Sequence, residues 1–248
     1  MAYRTSFVMM TTAQFVVTGL DFATIGIMFT HTNSLGGYTL PEVAFLYSAS
    51  GVSLGLADLL CGNVERLGQR VRDGSLDVML IRPVPTLVQM AADQFALRRL
   101  GRITQAGGVL VWSMTRLHVH WTVDRIVLVP VMLIAGTAIF CAIFVLGAAF
   151  QFVSGDASEV MNAFTYGGNF LTQYPPTIFA RDLVRTMTLI IPLGFVNWMP
   201  ALHILGKADP VGLPSVFQFL SPIVAAILAA AGALAWRVGI RSYRSTGS

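Results

Sequence analysis

The stretch that decides the fold is IVLVPVMLIAGTAIFCAIFVLGAAFQFV, which occupies residues 126–153 and contains no charged side chain. An α-helix needs about 20 consecutive apolar residues to cross the roughly 30 Å hydrocarbon core of a bilayer. This stretch is longer than that requirement. It therefore predicts a membrane-spanning helix whose surface is solvated by lipid.

The composition of the whole chain points to the same solvent. Hydrophobic residues make up 55% of the 248 positions and charged residues only 11%, whereas soluble domains carry about 25% charged residues. The formal charge of +4 does not indicate nucleic-acid binding, because no soluble domain with a basic face is visible. Two cysteines, Cys61 and Cys141, predict neither a disulfide framework nor a metal cluster.

Hydropathy predicts an all-α, polytopic membrane protein that forms a single transmembrane domain over residues 1–248. Six spans are expected, at about 7–29, 43–60, 103–114, 126–153, 186–205 and 216–236. The third is the shortest, and the fifth is interrupted by Pro192 and Pro200, which kink a helix. The intervening segment 155–185 mixes charged and aromatic residues, and we interpret it as an interfacial or re-entrant helix.

Residues 62–102, here called the arginine-rich segment, carry seven arginines and four acidic residues and cannot cross a membrane. Apolar residues such as Leu76, Met79 and Leu80 recur in this segment at helical spacing. That pattern is typical of amphipathic helices at a membrane surface. Asp58, just before the segment, is interpreted as a solvated or capping residue.

The basic residues orient the chain in the membrane. Six spans place both termini on one side, together with the arginine-rich segment. With Arg4, Arg181, Arg185 and the arginines after residue 236 assigned to that side, it holds most of the 16 basic residues. An excess of lysine and arginine marks the cytoplasmic side, so we expect both termini to be cytoplasmic.

Two membrane-embedded residues suggest alternative functions. Asp21 is costly to place within the first span and predicts an ion-coupled secondary transporter if it carries the coupling ion, although a structural partner in a neighbouring helix explains it at least as well. Ser53 lies in a G-x-S-x-G pattern, which in a hydrolase marks the nucleophile, with His203 as a remote partner for an intramembrane serine hydrolase. Because this pattern falls inside an apolar helix, Gly51 and Gly55 are better explained as a close contact with a neighbouring helix.

The sequence contains no recognisable motif for binding a nucleotide or a metal ion. It lacks the G-x-x-x-x-G-K-[ST] phosphate-binding loop, and its single lysine, Lys207, lies in a loop away from the arginine-rich segment. His118 and His120 supply only two ligands, fewer than the zinc sites of proteins use. We expect that the chain is not an enzyme and binds no cofactor of its own.

Several stretches resemble a known family. Residues 74–83, GSLDVMLIRP, resemble the G-x-L-D-x-x-L-x-R-P signature of type-2 ABC transporter permeases found in bacteria. A second match, Y-P-x-x-I-F followed by P-x-x-F-V-x-x-x-P, covers residues 174–179 and 192–200. The Leu-Gly-Gly run that begins at Leu35 also fits, so the resemblance extends over nearly the whole chain.

The resemblance implies a type-2 ABC exporter fold, in which a six-helix permease docks its cytoplasmic, amphipathic coupling helix on an ABC ATPase. ATP and Mg²⁺ would bind that partner. A second homologous permease would complete the path as a heterodimer, with a homodimer as the alternative. The expected cargo is an amphipathic or lipophilic compound, such as a drug, an antibiotic or a lipid, exported across the bacterial inner membrane.

The same resemblance assigns roles to individual residues. Those expected at the ATPase contact are Arg66, Arg70, Arg72, Asp73, Gly74, Leu76, Asp77, Leu80, Arg82 and Pro83. We assign Asp21, Phe195 and Asn197 to the substrate path. Each arginine of the first group is explained equally well, on its own, by contact with lipid headgroups.

Overall fold

The computed structural model describes residues 2–93, 99–155 and 158–243. Within these residues the chain is helical, which confirms the all-α prediction. The helices are α1 Ala2–His31, α2 Leu40–Cys61, α3 Leu67–Arg72, α4 Ser75–Leu80, α5 Thr86–Ala92, α6 Arg99–Arg116, α7 Val123–Ser154, α8 Ser158–Thr172, α9 Arg181–Leu189, α10 Trp198–Leu205 and α11 Ser221–Ser242. Short 3-10 helices occupy Gly62–Arg66, Pro176–Ile178, Leu193–Phe195 and Ser215–Phe219.

Four helical stretches are long and apolar enough to cross a membrane. They are Val8–His31, Leu40–Arg72, Val123–Ser154 and Ser221–Ser242, and they match the first, second, fourth and sixth predicted spans. Helix α6, at 18 residues, carries arginines at both ends and at Arg102, which lowers its hydropathy. A polytopic membrane protein is therefore confirmed, and the full set of six spans stays a prediction.

Helix α7 forms the centre of the bundle, and its most extensive contact is with α11. The two helices run in the same direction, since Gly232 lies against Val145 and Gly239 lies against Phe152. The absence of a side chain at Gly239 lets the Phe152 ring approach closely. The C-terminal end of α11 therefore lies beside the C-terminal end of α7.

Helices α2 and α6 pack in opposite directions through the predicted glycine contact. A methyl group added at Gly51 would lie 3.1 Å from Ala106 Cβ, and one added at Gly55 would lie 2.8 Å from Ile103 Cγ1. Both distances are shorter than ordinary van der Waals contact, so the helices approach closely only because these residues are glycines. The small-residue interpretation of the G-x-S-x-G pattern is confirmed.

Residues 155–185 are the segment predicted as an interfacial or re-entrant helix, and α8 within them packs inside the bundle and not along its surface. At the start of α8, the Met161 side chain lies against Gly147 of α7. Near its end, Ser50 Oγ of α2 donates to Asn169 Oδ1 at 2.9 Å. Its 15 residues extend over about 22 Å at 1.5 Å per residue, so α8 rises through part of the bundle beside α2 and α7.

The predicted fifth span over 186–205 is wrong as a single kinked helix. Helix α9 ends at Leu189, and the chain reverses near Pro192, where the missing N–H and the ring prevent a continuous helix. Pro200 does not break α10, because it lies in the first turn, where backbone N–H groups have no helical partner. Helices α9 and α10 form a hairpin instead of a span.

Both arms of the hairpin begin at the end of the bundle that is farther from residues 62–102, here called the opposite end. Residues 32–39 and 117–122 also lie at this end. Arg181 Nη2, at the start of α9, donates to the Val211 carbonyl at 2.8 Å. Lys207, just after α10, donates to the Gly37 carbonyl at 2.9 Å. Since Gly37 belongs to the loop between α1 and α2, both arms of the hairpin start there.

The other end, here called the arginine-rich end, carries the described part of residues 62–102, the start of α1 and the ends of α7 and α11. Arg181, and Arg185 one turn later, therefore lie on the side opposite to the one predicted for them. Within the described residues, most basic residues still fall at the arginine-rich end. Arg98, Asp156 and Arg244 lie outside the described residues.

Buried apolar side chains form three clusters along the bundle. The cluster nearest the opposite end includes Phe45 and Trp198, and the middle cluster is centred on Ile139 and Phe140 of α7. The third, at the arginine-rich end, joins the arginine-rich segment to α7 and α11 and includes the Trp236 side chain. Core packing therefore continues from the helices that cross the membrane into the predicted coupling region.

Candidate functional site

The predicted coupling region covers residues 62–102, and its first described part, residues 62–93, folds as a 3-10 helix followed by α3, α4 and α5. A sharp turn separates α3 from α4, and Gly74 makes it possible by adopting a left-handed conformation with φ +71°. The Asp73 carboxylate accepts hydrogen bonds from the Ser75 N–H at 3.0 Å and the Ser75 hydroxyl at 2.6 Å. These bonds hold the pKa of Asp73 below its usual value.

One face of this region is anchored in the bundle. Leu76 of α4 and Met90 of α5 are fully buried, and Met79 is nearly so. They pack in one cluster with Leu67 of α3 and Trp236 of α11. This apolar contact attaches the short helices to the end of the last membrane helix.

A buried glutamine adds a polar anchor to α7. Gln151 Oε1 accepts a hydrogen bond from the Gly68 N–H at 2.6 Å, and its Nε2 donates to the Glu65 carbonyl at 3.0 Å. Sequence reasoning missed this residue, although a glutamine near the end of an otherwise apolar span was the available signal. The backbone of the coupling region is thus tied to two long helices.

The other face of the region presents apolar side chains to the outside. Ile81 is 84% exposed, and Val78, Leu80, Val84 and Val88 are 41% to 54% exposed. They belong to the region that packs beside α7 and α11 at the arginine-rich end. We interpret these exposed apolar side chains, which fall within residues 78–88, as an interaction surface.

The residues predicted at the ATPase contact fall into an exposed group and four residues with other roles. The exposed group consists of Arg66, Arg72, Asp73, Leu80, Arg82 and Pro83.

The other four residues have different roles. The prediction for Leu76 is corrected, because its full burial makes it an anchor and not a contact residue. Arg70 pairs with the Asp93 carboxylate, and Gly74 shapes the turn. Asp77 faces Tyr243, where burial and the Asp77 carboxylate raise the pKa of the tyrosine.

A cavity of about 410 Å³ with both polar and apolar walls, here called the Arg102 cavity, opens at the same end of the bundle. Helix α1 lines it with apolar side chains, and helices α2, α6 and α8 contribute polar ones. Arg99 Nε lies 3.1 Å from Asp58 Oδ1, with the two side chains 9% and 13% exposed. Asp58 is therefore part of a buried ion pair, which corrects its interpretation as a solvated residue.

A family model described as ABC-2 family transporter protein matches residues 15–247. The chain belongs to the ABC-2 transporter family. No curated protein and no solved structure matches it. As an ABC-2 family protein it is a membrane component of an ABC transporter, and the family implies association with an ABC ATPase subunit.

The three residues assigned to the substrate path do not share a cavity in this ABC-2 protein. Asp21 lines a small cavity of about 60 Å³ beside Tyr47. Phe195 is buried and stacks on Phe217, with ring centroids 6.3 Å apart. Asn197 lies just before α10, near the turn of the α9–α10 hairpin, and has a structural role.

Asn197 is a structural cross-link. Its side chain is fully buried, and its Nδ2 donates to the Leu46 carbonyl at 2.9 Å and to the Thr172 carbonyl at 2.8 Å. These bonds tie the hairpin to α2 and α8 at once. In this single chain Asn197 therefore holds the fold together and does not line an open path.

The hydrolase alternative has no geometric support. Ser53 is fully buried within the continuous helix α2, and its hydroxyl bonds only weakly, to the Leu133 carbonyl at 3.5 Å. His203 instead lies 2.7 Å from Asp124 Oδ2 and packs on Phe219. Throughout the described residues, no group of three or more His, Cys, Asp or Glu side chains could hold a metal ion.

Proposed function

We propose that this chain is the permease subunit of an ATP-driven ABC exporter, and that its ATPase binds the exposed apolar face of residues 62–93. The observation that carries the proposal is the two-sided construction of this region. One face is anchored in the bundle through Leu76, and the other exposes Ile81 to the outside. The ABC-2 family match supports the choice of an ABC ATPase as the partner.

Coupling follows from the two anchors. A displacement of α4 by the ATPase is transmitted through the buried Leu76 and Met79 side chains to Trp236 of α11. The Gln151 hydrogen bonds transmit it to α7 as well. ATP and Mg²⁺ bind the ATPase, and this chain supplies the lever and the membrane path.

The remaining features of the proposal concern assembly and cargo. The chain lies in a bacterial inner membrane with the arginine-rich end and both termini in the cytoplasm. A second homologous permease, forming a heterodimer or a homodimer, covers the apolar surface of α1, whose Leu20 and Ile27 side chains are more than half exposed. The cargo is an amphipathic or lipophilic compound, and transport is outward.

The direct test is affinity purification of the full chain from its native membrane, followed by identification of bound proteins and an ATPase assay. Ile81→Asp places a charge in the exposed patch. Since burying an isoleucine contributes about 1.5 to 3 kcal/mol, we expect at least a tenfold loss of bound ATPase.

Val123→Asp is the matched control. Val123 is 79% exposed but lies at the opposite end, at the start of α7, so the variant should retain the ATPase. A wild-type chain that purifies without any ATPase would contradict the proposal and favour ion-driven transport through Asp21. Equal losses in the two variants would contradict the assigned docking face alone.

A further inference from the structure

The Arg102 cavity carries more positive than negative charge. Its lining includes the guanidinium groups of Arg66, Arg99 and Arg102 and the carboxylates of Asp58 and Glu65. Asp58 pairs with Arg99, and Glu65 lies within electrostatic range of Arg99 and Arg66. Among the described residues, no carboxylate forms an ion pair with Arg102.

Two guanidinium groups in this cavity have buried donors without acceptors. The Arg99 side chain is only 9% exposed, and its Nη1, like that of Arg102, has no hydrogen-bond partner. The Arg102 guanidinium is held over the Tyr166 ring, 5.9 Å from its centroid. Buried donors of this kind are normally satisfied, and the natural acceptor for a fixed guanidinium is a carboxylate or phosphate.

The wall facing these arginines is apolar. Met10, Ala13 and Val17 line the cavity from α1. Their spacing of three and four residues places them in one stripe along the helix. The stripe runs from the arginine-rich end toward Thr18 and the neighbouring small cavity, whose lining also includes Arg102.

We propose that the Arg102 cavity binds an amphiphile whose anionic headgroup, a phosphate or a carboxylate, contacts Arg102 and Arg99. Its apolar chain lies along Met10, Ala13 and Val17. The same chemistry describes a membrane phospholipid and a single-chain cargo molecule. If the Arg102 cavity is a loading site for cargo, that role rests on the exporter function proposed above. Binding of the amphiphile itself can be measured without any ATPase.

The test uses the purified full chain in neutral detergent and native mass spectrometry. The probes are dioleoyl phosphatidic acid, dioleoyl phosphatidylcholine with the same chains, dodecyl phosphate and inorganic phosphate. We expect one tightly bound anionic amphiphile. Arg102→Gln should weaken its binding about tenfold or more, because hydrogen bonds to charged groups contribute at least that much.

Arg116→Gln is the matched control, since Arg116 is exposed at the other end of the same helix. It should change binding less than twofold. A second variant, Ala13→Phe, fills the apolar wall from an exposed position and should weaken binding without removing a charge. It keeps the proposal testable if Arg102→Gln does not fold.

The outcomes separate the alternatives. Preference for phosphatidic acid identifies a membrane lipid, and preference for dodecyl phosphate identifies a single-chain cargo, and both support the site. Inorganic phosphate binding as tightly as either amphiphile would overturn it. Equal binding by wild type and a folded Arg102→Gln variant, or equal losses in Arg102→Gln and Arg116→Gln, would overturn it as well. None of these results depends on whether an ATPase co-purifies.

Discussion

Two leucines one turn apart on α4 should respond differently to the same truncation. Leu76 is 0% exposed and Leu80 is 41% exposed, although both belong to the signature stretch and both were predicted to contact the ATPase. Leu76→Ala leaves a cavity in the cluster that contains Trp236. Truncating a buried leucine costs about 2 to 5 kcal/mol of unfolding free energy.

Leu80→Ala should destabilise the fold less than Leu76→Ala, because 41% of Leu80 is already exposed and truncation removes less buried apolar area. It should weaken ATPase binding as well. Complete burial of a leucine contributes about 1.5 to 3 kcal/mol, and the partner can cover only the 41% that is exposed. The expected loss is therefore roughly 1 kcal/mol, or about fivefold in Kd.

Thermal unfolding of the purified permease in detergent measures the first effect, and titration with the purified ATPase measures the second. Leu76→Ala should lower the unfolding temperature strongly, whereas Leu80→Ala should lower it less and should raise Kd. If the two variants are destabilised equally, the assignment of an anchored face and a docking face is wrong.

Two further predictions concern helix contacts. Gly55→Val should destabilise the fold by about 1 to 3 kcal/mol through a clash with Ile103. The control Gly107→Ala, at a site with nothing within 4 Å, should stabilise the fold by about 0.5 to 1 kcal/mol. Equal unfolding temperatures for the two variants would disprove the close approach of α2 and α6. Asp58→Asn should cost about 3 to 5 kcal/mol by leaving Arg99 buried and unpaired, and the double variant with Arg99→Met should recover part of that loss.

The long apolar helices were predictable because hydropathy acts over their whole length. The stretch over 126–153 has no charge to interrupt it, and it forms the core of α7. The contact between α2 and α6 was predictable for a different reason. Gly51 and Gly55 are spaced four residues apart inside an apolar helix, and that spacing has few uses other than close packing.

The α9–α10 hairpin was not predictable from hydropathy. A span and a hairpin that enters and leaves from one end have the same apolar composition, and the difference depends on the reversal near Pro192. Asn197 was a usable signal, because a buried amide in an apolar stretch needs acceptors. Those acceptors, the carbonyls of Leu46 and Thr172, are too distant in sequence to be inferred from it.

At the candidate site, sequence reasoning located the region but not the direction of its side chains. The signature stretch identified residues 74–83, yet whether Leu76 points inward depends on the turn at Gly74. The Asp58–Arg99 pair joins residues from two helices whose register is set by packing. Helical periodicity within one segment carries no information on such a pair.

The Asn197 cross-link constrains how the protein can move. The Leu46 and Thr172 carbonyls would lose their side-chain donor if the hairpin slid, and buried polar groups are rarely left without a partner. We therefore expect the hairpin, α2 and α8 to move together. Helix α1, whose apolar window is only 12% buried, is the least enclosed of the four candidate spans, so under the proposed function we expect it to shift relative to this unit when the path opens.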